Sequence, residues 1–165
     1  MTPSPDGADA SSLDGVRRFV LEEAEASWDE VRTTDDVPDH LVARLATLGL
    51  TRLTIPTESG GCGLSTPDYQ PYLELAAQGP GWVRMLTHVG NGFWRPVAQF
   101  GSPAQQAMVP QMAQGETFLA FALTERAGGT GRDLHSRAVR DGTRWQISGE
   151  KHLITFADRA DYFLL

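Results

Sequence analysis

Thirteen residues, Phe121 to Asp133, hold the densest set of chemistry-bearing groups in the chain: Phe-Ala-Leu-Thr-Glu-Arg-Ala-Gly-Gly-Thr-Gly-Arg-Asp. An apolar run from Phe118 to Leu123 delivers a hydroxyl and a carboxylate, Thr124 and Glu125, into a loop carrying Gly128, Gly129 and Gly131. Glycine permits positive φ and close backbone approach, and successive N–H groups in such a loop can form an anion-binding concavity. Strand, polar pair and glycine loop in that order therefore suit a flat, phosphate-bearing ligand. Most glycine-rich loops are plain turns, so the loop by itself specifies no ligand. Glu125 is a candidate base on its chemistry. His40, His88, His135 and His152 show no metal-ligand spacing, and no metal site is expected. Cys62, the only cysteine, excludes an intrachain disulfide and reads as a small filler between glycines.

The elements that must position these groups fall into two kinds. From Leu13 the apolar residues Val16, Val20, Ala24, Trp28 and Val31 recur at helical steps, predicting one helix from about Ser12 to Arg32. A second helix opens at Pro38 and stops at Gly49, and Leu50 to Pro56 reads as extended. Thr66 is expected to cap a third helix that starts late or bends at Pro71, and Gly79-Pro80-Gly81 ends it. The apolar positions from Trp82 to Phe100 predict a helix kinked at Gly90, Gly92 and Pro96 and packed closely on a neighbour. Ser102-Pro103-Ala104-Gln105 is a capping-box sequence. Past Gly115 the period changes: Phe118 to Leu123, Leu134 to Arg140, Trp145 to Ser148, Lys151 to Phe156 and Tyr162 to Leu165 read as strands, with a hairpin turn at Asp141-Gly142.

Helices first and strands second make an α+β chain. The divisions are a disordered leader over 1–11, an α-helical domain over 12–117 and a partial β domain over 118–165. The strands leave open edges and end on an apolar run, which reads as a fragment or as half of a split assembly. With 41% hydrophobic and 21% charged residues a buried core is expected. A net charge of −7 argues against a nucleic-acid-binding face. No apolar run reaches the roughly 18 residues of a membrane span, and the first residues lack the features of a secretory signal, so a cytoplasmic location is expected.

Four ordered stretches resemble the acyl-CoA dehydrogenase family. They are Gly49-Leu50 with Ile55-Pro56 to Gly60-Gly61-Cys62-Gly63-Leu64; Gly101 to Gln106 with Pro110 to Glu116; Phe121-Ala122-Leu123-Thr124-Glu125; and Trp145 to Lys151 with Ile154-Thr155. The resemblance implies a helical N-terminal domain followed by part of an antiparallel β-barrel domain, with the family's four-helix C-terminal domain and its catalytic glutamate lying outside these residues. It implies FAD as cofactor, an acyl-CoA or acyl-carrier-protein thioester as substrate, and α,β-dehydrogenation with hydride transfer to the flavin. An electron-transfer flavoprotein or similar acceptor, and a homo-oligomer or a partner chain supplying the other half, are the implied partners. Position by position, Phe121 and Leu123 would lie along the flavin ring and Leu153 would pack on it, Thr124 would hydrogen-bond its polar edge, Thr155 would sit near its N5 side, and Gly129 and Thr130 would meet its phosphate side. Glu125 would be a structural acceptor, and these 165 residues alone are expected to be inactive. Leu153 stands where the family often stacks an aromatic residue, and Phe156 where it has an asparagine. Those departures keep open a flavin-dependent monooxygenase or oxidase on the same fold, and the abrupt apolar end keeps open a non-catalytic half-length subunit.

Overall fold

The computed structural model describes residues 12–126 and 133–165. Two compact units divide the chain, Met1–Phe118 and Leu119–Leu165. The expected leader and the positions Gly129 and Thr130 lie outside the described residues.

The first unit is helical: α1 (Leu13–Arg18), a π-helical segment (Phe19–Ala24), α2 (Trp28–Thr34), α3 (Asp39–Thr47), α4 (Thr66–Ala76), α5 (Gly81–Gly92), α6 (Trp94–Phe100), α7 (Pro103–Gln106) and α8 (Val109–Gln114). The single helix predicted over 12–32 is therefore broken. Its apolar positions Val16, Val20 and Ala24 are fully buried, while Leu13 and Trp28 are 42% and 49% exposed. The wider π turn rotates the buried face, which brings Phe19 into the core, and the break before α2 releases Trp28. Phe19 meets the Trp82 ring edge-on, centroids 6.2 Å apart.

Residues 50–55 are not extended. Leu50 N–H donates to the Leu45 carbonyl, Arg52 N–H to that of Gly49 and Ile55 N–H to that of Arg52, so the segment is a series of turns. Local bonds win there because Leu50, Leu53 and Ile55 all reach the core, each fully buried. Burial of one such side chain stabilises the fold by about 1.5–3 kcal/mol. The glycine turn then folds back on these residues: Cys62, Gly63 and Leu64 N–H donate to the carbonyls of Arg52, Ile55 and Leu53. A Cβ on Gly61 would lie 2.0 Å from the Ile55 carbonyl oxygen, so only glycine fits this return.

Ser65, not Thr66, caps α4; its hydroxyl accepts from Asp68 N–H at 3.4 Å. The helix runs continuously through Pro71. The capping box at Ser102 forms with both of its bonds, Gln105 N–H to Ser102 Oγ at 3.3 Å and Ser102 N–H to Gln105 Oε1 at 2.8 Å. The predicted kink is a full break between α5 and α6 at Phe93. Gly90 sits so close to a neighbouring turn that a Cβ would approach the Thr51 carbonyl to 2.7 Å.

In the second unit, β2 (Arg137–Asp141) and β3 (Arg144–Ser148) form an antiparallel hairpin with Asp141 opposite Arg144. Its side chains are exposed, Val139, Trp145 and Ile147 by 59–63%, because no layer covers a two-stranded ribbon. β1 (Leu119–Phe121) pairs with β4 (Tyr162–Leu164) in parallel, against the antiparallel expectation. The 40 residues between them give ample length for the crossover that a parallel pair requires. Lys151 to Phe156 is not a strand. Leu153 and Phe156 both adopt φ of 54°, which breaks an extended run, and the chain turns instead. No helix among the described residues is long and apolar enough to cross a membrane.

Candidate functional site

β1 continues past Phe121 as an extended segment that changes partners residue by residue. Ala122 N–H donates to the Leu164 carbonyl at 2.8 Å. Thr124 then accepts from His152 N–H at 2.8 Å, and the Leu123 carbonyl accepts from Lys151 Nζ at 3.1 Å. Side chains alternate along the segment: Ala120 and Ala122 are buried, while Phe121 is 39% exposed and Leu123 half-buried. Phe121 and Leu123 therefore share one face.

The Thr124–His152 bond places Leu153 one residue from a direct backbone contact with Thr124. Leu153 is 81% exposed, although its left-handed backbone is uncommon for a bulky apolar residue. Thr155 follows in the turn and is half-buried. Five positions read from sequence, Phe121, Leu123, Thr124, Leu153 and Thr155, thus occur on two segments joined at the backbone. Exposed apolar side chains and hydroxyls are the kinds of group that a flat ring with a polar edge requires. A cavity of about 300 Å³ also lies in this unit, lined by Leu134, Ala138, Ile147 and Leu165 among others, and none of the five lines it.

Glu125 fastens the junction. Its carboxylate is 5% exposed and accepts from Lys151 Nζ at 2.9 Å, from Ser136 N–H at 2.9 Å and from His135 N–H at 2.6 Å. The Lys151 ammonium first, then the Ser136 and His135 groups, hold this carboxyl far below the usual carboxylate range. A carboxylate so tightly held is a weak base, and Glu125 acts as a buried acceptor. Lys151 had no assigned role in the sequence; two separated motif residues of opposite charge were the available signal. The Arg126–Glu150 pair, 3.3 Å apart, is two-thirds exposed on both sides and contributes little. Among the described residues no cluster of three metal-ligating side chains occurs.

The model of the acyl-CoA dehydrogenase N-terminal domain matches residues 10–116. The chain belongs to the acyl-CoA dehydrogenase family. An acyl-CoA dehydrogenase of Mycobacterium tuberculosis is 30% identical, over 95% of this chain and 43% of that protein. The crystal structure of a probable acyl-CoA dehydrogenase from Mycobacterium abscessus is similar at 27% identity and a TM-score of 0.78, covering 97% of this chain and 43% of its own. A glutaryl-CoA dehydrogenase from Mycobacterium smegmatis, solved in complex with FADH2, shares the fold with a TM-score of 0.83 at 23% identity, covering 98% of this chain and 42% of its own. The chain spans roughly two-fifths of the length of the first curated relatives it matches, 40% and 43%.

Proposed function

We propose that these residues form one side of the flavin site of an FAD-dependent acyl-thioester dehydrogenase. The observation that supports the reading is the Thr124–His152 backbone bond, which joins the segment carrying Phe121, Leu123 and Thr124 to the segment carrying Leu153 and Thr155. FAD, when bound, would supply the two-electron acceptor for the hydride that leaves Cβ of the acyl group as Cα loses its proton and the Cα=Cβ bond forms. The chain's own residues have other tasks. Phe121, Leu123 and Leu153 shield the ring from water on their face. The Thr124 hydroxyl would offer a hydrogen bond to its polar edge and Thr155 one near its N5 side, where donors stabilise added electron density. By the family resemblance, Gly129 and Thr130 would meet the phosphate side of the flavin. Glu125 and Lys151 fix the loop that carries Thr124. No residue among the 165 is assigned as the base for the α-proton. Family membership and the FADH2 complex of a protein with the same fold support FAD; an acyl-CoA or acyl-carrier-protein thioester, an electron-transfer flavoprotein and an oligomeric assembly are parts of the same proposal.

The test is FAD fluorescence during titration with the 165-residue chain, followed by gel filtration and a visible spectrum. Weak, saturable quenching is expected, with the flavin lost on the column. Leu153→Asp and Thr124→Val should each weaken binding, and no dye-coupled oxidation of an acyl thioester should occur. Binding indifferent to both substitutions removes the proposed surface; robust oxidation by this chain places a base within it.

A further inference from the structure

A second cleft lies wholly within the helical unit, between α4, α5, α6 and the turn at Thr54. It measures about 200 Å³, below the range of about 300–1,000 Å³ typical of drug-sized sites, so it suits a small group. Thr54, Thr66, Tyr69, His88, Asn91 and Arg95 supply its polar lining, and no carboxylate is among them. Asp68, one residue from Tyr69, is engaged by the Ser65 hydroxyl at 2.5 Å.

Two donors there have capacity that their protein contacts do not use up: the Tyr69 hydroxyl and the Arg95 guanidinium. Tyr69 is 8% exposed, and its hydroxyl has no hydrogen-bond partner among the described residues. Burial pushes its pKa up to about 12, with Arg84 and Arg95 pulling it partly back, so the group stays a neutral donor at physiological pH. Arg95 is fixed in place: its guanidinium lies 4.9 Å from the Trp94 ring centroid and donates one bond to the Asn91 carbonyl. A guanidinium has five N–H donors in a fork that matches a carboxylate, so most remain available to a ligand. Two acceptors of the lining are occupied: the Thr54 hydroxyl accepts from Trp94 Nε1 at 3.0 Å, and Asn91 Oδ1 accepts from Thr54 N–H at 2.8 Å. A guanidinium and a buried unpaired hydroxyl in a lining without a carboxylate favour an anion. A buried hydroxyl left unpaired is destabilising until a ligand accepts from it.

We infer that this cleft binds a carboxylate group, clamped between Arg95 and the Tyr69 hydroxyl. The carboxylate could belong to a free short acid or to the far end of a carboxylate-terminated acyl thioester; only the second source rests on the dehydrogenase reading.

Trp94 is a built-in reporter, because its indole N–H is bonded to a cleft residue and its ring lies under Arg95. The experiment follows the Trp94 indole signal by 15N NMR in the whole chain, without flavin. Propionate should shift it saturably and propionamide, its neutral counterpart, should not. Tyr69→Phe should weaken propionate about tenfold and Arg95→Gln at least as much, as expected for hydrogen bonds to a charged group. Tyr69→Phe removes a buried hydroxyl with no partner among the described residues, so without ligand its melting temperature should equal or exceed that of wild type, and the affinity change is not a folding artefact. Succinyl-pantetheine binding at least tenfold more tightly than propionate, with butyryl-pantetheine weaker, identifies the thioester as the source; equal affinity of succinyl-pantetheine and propionate identifies a free-acid site. Equal shifts from propionate and propionamide, no saturable shift, or unchanged affinity in both variants overturns the inference. FAD binding is measured separately, so either proposal can fail while the other stands.

Discussion

Asn91→Ala is the substitution that most directly tests how the helical unit is held. Asn91 is 2% exposed, and its amide ties α5 to the turn over residues 50–54. Oδ1 accepts from Thr54 N–H at 2.8 Å, while Nδ2 donates to the Leu50 carbonyl at 2.7 Å and to the Thr87 carbonyl at 2.7 Å. Alanine leaves the Thr54 N–H and the Leu50 carbonyl buried and unpaired, whereas Thr87 lies on the same helix and keeps its ladder position. Each unsatisfied buried group costs about 1–3 kcal/mol, giving a loss of about 2–6 kcal/mol for the pair. For a unit of this size about 1 kcal/mol lowers the melting temperature by roughly 4–8 °C, so the expected drop is at least about 8 °C. Circular dichroism at 222 nm during heating measures it. Asn91→Asp keeps the acceptor for Thr54 but loses both donated bonds and buries a charge, so it should be no better than alanine. A drop below about 3 °C for Asn91→Ala would show that water replaces the amide at no penalty, and the clamp argument would be wrong.

Three further outcomes follow from the same geometry. Gly61→Ala drives a methyl into the Ile55 carbonyl, 2.0 Å away, and should destabilise by about 1–3 kcal/mol or more, read as a lowered urea midpoint. Ser102→Ala removes one half of the capping box and should cost about 1 kcal/mol by the same measurement. Glu125 has a folded-state pKa far below its ordinary value of 4.5, so its stabilisation is fully present above that value and is lost as pH falls below it toward the folded pKa. Hydrogen exchange at the His135 and Ser136 amides should therefore accelerate with acidification below about pH 4.5 relative to the intrinsic rate, and Glu125→Gln should abolish that acid dependence.

The sequence by itself determined whatever depends on neighbours a few residues away. The capping box at Ser102, the stop at Gly49, the Asp141-Gly142 hairpin and the change from helical to strand periodicity after Gly115 all formed because their bonds close within one turn or one hairpin. Family resemblance was legible for a related reason, since Gly61 and its flanking residues answer to a local return of the chain. Sequence misled where tertiary burial overrode local pattern. Leu50 to Ile55 has the composition of a strand, but three of its side chains point into a helical core and the backbone coils to allow it. Lys151 to Phe156 has it too, yet Leu153 and Phe156 sit at positive φ, which no propensity announces. Only the tertiary structure decided that β1 and β4 run parallel, that Lys151 neutralises Glu125 across 26 positions, and that Asn91 clamps a turn 37 positions away. Those pairings depend on which distant groups meet once water is excluded. A sequence displays each group but carries no record of its partner.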